Sequence, residues 1–122
     1  RDIEGENLLS LPQAKMYERA CAVGPCIVTG ADETAIRKWT IGVEIIRGGE
    51  TVFSGETSIN NIKRTFDELL EYLGRSQNFP HGAMLLTGTG VVPDDEFTLV
   101  AEDRIRITVT GIGTLENPVA IV

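Results

Sequence analysis

Trp39-Thr40-Ile41-Gly42-Val43-Glu44-Ile45-Ile46-Arg47-Gly48-Gly49-Glu50-Thr51-Val52-Phe53-Ser54-Gly55 has the pattern of a β-hairpin. Trp39, Ile41, Val43 and Ile45 alternate with Thr40, Gly42 and Glu44, the period of a strand with one buried face. Gly48-Gly49 is a two-residue hairpin signal, because glycine accepts the positive φ that such turns require. Thr51–Gly55 is the returning strand.

Working outward, Ile105, Ile107 and Val109 alternate with Arg104, Arg106 and Thr108 in the cleanest strand pattern of the chain. Gly111-Ile112-Gly113 turns it, and Val119–Val122 is an apolar tail. Ala83-Met84-Leu85-Leu86 reads as a fully apolar strand running into Thr87-Gly88-Thr89-Gly90, and Cys26-Ile27-Val28 as a short buried strand. One strong helix is expected over residues 62–75. Ile62, Phe66, Leu69, Leu70 and Leu73 form its apolar stripe, Lys63, Arg64, Asp67, Glu68 and Glu71 its solvent face, and Gly74 lies near its end. Asp32 can cap a shorter helical turn through Lys38. One helix among six or seven strands, with 13 Gly and 5 Pro, gives a β-rich α+β domain.

The composition limits what this domain does. A chain of 122 residues is one domain at most, and 42% hydrophobic with 24% charged residues is a globular balance. The net charge of −7 and the lack of aromatic RNA-binding motifs argue against nucleic acid. No apolar run approaches the roughly 18 residues of a membrane span. The polar, charged first residues do not form a secretory leader. Cys21 and Cys26 are not a Cys-x-x-Cys pair and read as reduced, mostly buried thiols of a cytoplasmic protein.

His81 is the sole histidine, so a multi-histidine zinc site is excluded within these residues, and no Gly-x-Ser-x-Gly elbow offers a nucleophile. His81 itself reads as an exposed loop residue. Thr87-Gly88-Thr89-Gly90 lacks the Gly-Lys-Ser/Thr ending of a phosphate loop. Its glycines still let backbone N–H groups approach a ligand, and it suits a carboxylate. Glu4-Gly5-Glu6 fits either a hard-cation pair or a solvated loop. Lys15, between Ala14 and Met16, is either a candidate base or anion clamp, or a surface lysine.

Several of these residues occur together in an order that resembles one family. Arg1-Asp2-Ile3-Glu4, Leu11-Pro12-Gln13-Ala14-Lys15 and Val23-Gly24-Pro25 resemble a run of the fumarylacetoacetate hydrolase family. Leu85–Gly90 looks like that family's strand-plus-Thr-Gly-Thr segment, and Ile112–Val119 like its closing stretch. Ile3–Asn7, Leu11–Lys15 and Phe79-Pro80 are most similar to the branch that dehydrates 2-keto-3-deoxy sugar acids.

The resemblance implies a mixed β-roll, a homodimer, and a 2-oxo acid substrate chelated by Mg²⁺ (or Mn²⁺ or Ca²⁺). It implies dehydration through a metal-stabilised enolate. Lys15 and Arg1 are then the catalytic-site residues, Lys15 as proton donor or charge stabiliser and Arg1 as an ion-pair partner holding the metal-site loop. Glu4 faces substrate hydroxyls, and Gly88 and Thr89 hold the carboxylate. The family's metal ligands and lid histidine lie upstream of its Arg-Asp motif, so Glu4 and Glu6 are not those ligands and this chain is expected to hold none. Residues 1–122 are accordingly expected to be an N-terminally truncated fragment of the catalytic domain, inactive by itself. The rival expectations are an acylpyruvate- or fumarylacetoacetate-type C–C hydrolase or decarboxylase of the same fold, and a non-catalytic association domain.

Overall fold

The computed structural model describes Leu9 and residues 15–122. Arg1 and Glu4, and the Glu4-Gly5-Glu6 pair, lie outside the described residues.

The hairpin forms as its sequence dictates. Strand β1 (Thr40–Arg47) pairs antiparallel with β2 (Glu50–Ser58). Gly48 and Gly49 turn between them at φ 59° and 89°, both in the left-handed region. Strand β3 (Arg104–Val109) lies on the other side of β1, and β4 (Gly113–Pro118) beyond it, giving an antiparallel sheet in the order β2-β1-β3-β4.

The register places Ile45 opposite both Phe53 and Ile105, Val43 opposite Ile107, and Ile107 opposite Leu115. Side chains alternate across a strand, so these share one apolar face. The opposite face is polar: Arg106 pairs with Glu44 at 3.1 Å and Glu116 at 2.9 Å, and Arg104 also reaches Glu116.

Two segments run over the apolar face. A Cβ on Gly55 would stand 2.6 Å from Val91 Cγ1, so only a glycine lets residues 90–97 lie this close to β2. Further along, the Phe53 and Phe97 rings are 6.1 Å apart. At the β4 edge, Gly24 approaches the Leu115 side chain and Cys26 Sγ lies 3.5 Å from the Ile112 carbonyl oxygen. Ile45 and Ile59 are the buried apolar side chains among the described residues.

Helix α1 (Glu33–Ile36) is capped by Asp32, whose carboxylate accepts from Ala35 N at 2.8 Å. A 3₁₀ turn (Ile59–Asn61) follows β2, and helix α2 spans Phe66–Gly74. The helix starts four residues later than its stripe suggests, because Thr65 takes the N-cap and bonds Glu68 N. Ile62 and Lys63 therefore belong to a linker, and Leu70 is exposed.

Three further expectations are corrected. Residues 83–86 and 26–28 form no strand, and Leu86 and Ile27 are 74% and 76% exposed. A strand needs a neighbour for its N–H and C=O groups, and none of the described residues supplies one here. The described sheet has four strands, not six or seven. Cys21 and Cys26 are free thiols, as expected, but exposed.

Candidate functional site

A cavity of about 460 Å³ opens between the β2 end, the linker before α2 and the Thr87–Gly90 loop. Its floor is apolar, from Ile41, Ile59 and Leu69. The loop supplies its polar wall. Gly88 sits at φ 89°, a conformation that strains any residue with a Cβ. Among the described residues, the N–H groups of Gly88, Thr89 and Gly90 donate no hydrogen bond. Such a run of free backbone donors beside a left-handed glycine suits an anion.

The Thr89 hydroxyl bonds within its own loop. Its Oγ1 accepts from Val91 N at 3.1 Å and donates to Val91 O at 3.1 Å, closing a local turn. The hydroxyl thus braces the loop, while the backbone N–H stays open. Gly90 is held from the other side: a Cβ there would stand 3.0 Å from Thr57 Oγ1. Asn61 Nδ2 donates to that same oxygen at 3.2 Å. Thr57 and Asn61, which belong to no recognisable motif in the sequence, therefore set where the loop sits.

The linker opposite is fixed by α1. Arg37 donates to the Ile62 carbonyl at 2.8 Å and to the Arg64 carbonyl at 2.7 Å, and its Nε bonds Glu33 at 2.7 Å. The other oxygen of Glu33 accepts from Phe66 N at 3.2 Å. Lys63 is held between the two anchored carbonyls and lines the cavity. The adjacent Arg64 is ion-paired with Glu68.

Gly88 and Thr89 are brought together at this cavity. Lys15 is exposed and lies outside the described lining. His81 is an exposed loop residue, as expected. The sheet carries perturbed titrations. Hydrogen bonds from Arg104 and Arg106 lower the Glu116 pKa, and those to Glu116 and Glu44 raise that of Arg106. Among the described residues, no group of three or more His, Cys, Asp or Glu side chains is arranged to hold a metal ion. The described residues do not fit a divalent-cation site.

An acidic α+β domain with a Gly-rich anion loop over an antiparallel sheet has a clear relation to known proteins. Residues 1–120 match the family model described as fumarylacetoacetate (FAA) hydrolase C-terminal, and the chain belongs to that family. Within it, the chain is 43% identical over 122 residues to a probable 2-keto-3-deoxyxylonate dehydratase of Haloferax volcanii. It is 41% identical over 119 residues to the 2-dehydro-3-deoxy-D-arabinonate dehydratase of Saccharolobus solfataricus. These matches cover 100% and 98% of this chain but only 42% and 40% of the two relatives. A solved 2-keto-3-deoxy-D-arabinonate dehydratase, complexed with magnesium and 2,5-dioxopentanoate, superposes with a TM-score of 0.91. That match has 41% identity and covers 97% of this chain and 42% of the other. The chain thus has the fold of the corresponding part of these dehydratases.

Proposed function

We propose that this chain is the C-terminal part of a divalent-metal-dependent dehydratase of 2-keto-3-deoxy sugar acids, and that its cavity holds the substrate's carboxylate. The observation that carries the reading is the row of free N–H donors at Gly88, Thr89 and Gly90 in a cavity with an apolar floor. A 2-oxo acid is ionised at neutral pH and needs such donors once water is excluded. The family relation supports Mg²⁺ as the metal, held by residues other than those described. It also supports a cytoplasmic homodimer. The exposed apolar residues Ile27, Met84 and Leu86 support a larger protein that covers them.

The reaction loses one proton from C3 and one hydroxide from C4, which leave together as water. The C3=C4 enone left behind loses a proton from C5 and takes one at C3, and the C4=C5 enol so formed ketonises to an aldehyde at C5. A five-carbon 2-keto-3-deoxy acid becomes 2,5-dioxopentanoate in this way. The roles proposed for this chain are few. Backbone N–H groups of residues 88–90 orient the carboxylate. Lys15 supplies a proton or positive charge near the reacting oxygens. Glu4 contacts substrate hydroxyls, and Arg1 holds the neighbouring loop.

The test is the product. The full-length enzyme with Mg²⁺, given 2-keto-3-deoxy-D-arabinonate, should release one 2,5-dioxopentanoate per substrate and no pyruvate or carbon dioxide. Cleavage of an acylpyruvate, with no dehydration, would establish the hydrolase reading instead. Inertness toward both would leave the association domain.

A further inference from the structure

We infer that Lys63 is a specificity-determining residue of the proposed reaction, whose ammonium group makes the cavity select a carboxylate over a neutral amide or ester. The inference rests on the reading of the cavity as the carboxylate site.

Four observations lead to it. Lys63 lines the same cavity as Gly88, Thr89 and Gly90. Its backbone is fixed on both sides, because Arg37 bonds the carbonyls of Ile62 and Arg64. Its ammonium has no carboxylate partner among the described residues, whereas the next cation, Arg64, is neutralised by Glu68. The chain as a whole carries −7, so an approaching anion meets a repulsive field unless a local cation offsets it.

Backbone N–H groups carry only partial charge. They give direction to a carboxylate but accept a neutral carbonyl as well. A full positive charge at the rim separates the two, because it stabilises the anion alone. Lys63 therefore acts on binding, with no part in breaking the C4–O bond.

The experiment uses the full-length enzyme and two small probes of nearly equal shape, pyruvate and the neutral pyruvamide. Wild type should bind pyruvate more tightly. Lys63→Gln should weaken pyruvate about tenfold, as expected for losing a hydrogen bond to a charged group, and leave pyruvamide unchanged. Lys63→Arg should keep the preference. For dehydration, Lys63→Gln should raise KM by a similar factor and leave kcat within about twofold. Added salt, from roughly 20 to 200 mM, should weaken pyruvate binding to wild type and not to Lys63→Gln. The position is exposed, so the variant should melt with wild type. If Lys63→Gln binds pyruvate as wild type does, or loses both probes equally, the assignment of Lys63 falls while dehydration by wild type still supports the cavity. If wild type neither binds pyruvate nor dehydrates, the reading of the cavity falls with it.

Discussion

Arg47 and Asp103 meet in a two-point ion pair. Nε donates to Oδ1 and Nη2 to Oδ2, each at 2.8 Å, across the junction of β1 and β3. The Asp103 side chain is fully buried, and its Oδ2 also accepts from Val100 N at 3.0 Å. Arg47 in turn bonds the Thr98 carbonyl, so the pair ties the segment ahead of β3 to the sheet.

This pairing predicts acid sensitivity. The hydrogen bond from Arg47, then that from Val100, lower the Asp103 pKa from 3.8 to about 2. A depressed folded-state pKa stabilises the fold fully above the unfolded value and loses that contribution as pH falls through the folded value. The melting temperature should therefore drop between about pH 4 and pH 2. Asp103→Asn should melt lower at pH 7 and show a shallower fall in that window. Parallel curves for the two proteins would contradict this role.

Gly111 stands at φ 79°, and a Cβ there would lie 2.6 Å from Trp39 Cζ2. Gly111→Ala should cost about 2–3 kcal/mol, combining backbone strain with overpacking against an indole. Gly48→Ala, at φ 59° with open space around it, should cost only about 1 kcal/mol. Urea denaturation of the two variants measures the difference, and equal losses would show that Trp39 gives way.

Thr89→Val removes both turn bonds to Val91 while nearly keeping the volume. The loosened loop should bind pyruvate about tenfold more weakly, and Thr89→Ser should restore most of the affinity because it keeps the hydroxyl. Titration of the full-length enzyme checks this. A serine variant as weak as the valine one would show that the methyl group matters instead.

Lys15→Ala should lower turnover about 10²-fold or more, the usual range for a group that moves a proton. Since Lys15 is exposed, the melting temperature should stay put. Near-normal turnover, or a variant that fails to fold, would make Lys15 structural.

The hairpin and β3 were legible in the sequence because a period of two and a Gly-Gly turn are local signals, and one buried face demands them. Residues 83–86 and 26–28 resemble buried strands through apolarity alone. Apolarity says that a segment is to be covered, not by what, and pairing depends on residues far away in sequence. The family was legible because several short motifs recur in order. Lys63 was not, because the apolar stripe ran back to Ile62 and placed Lys63 on a helix face. Only the Thr65 cap and the Arg37 clamp, a contact 25 residues long in sequence, move it into the cavity wall. Thr89 was found for its position, but a hydroxyl's choice between loop and ligand is settled by geometry.

The proposed carboxylate site is the loop at residues 88–90. A crystal structure of the full-length enzyme with pyruvate tests it most directly. Carboxylate oxygens are expected about 3 Å from the backbone nitrogens of Gly88, Thr89 or Gly90, with the Lys63 ammonium alongside. Pyruvate ordered elsewhere, with those N–H groups bonded to protein, would contradict it.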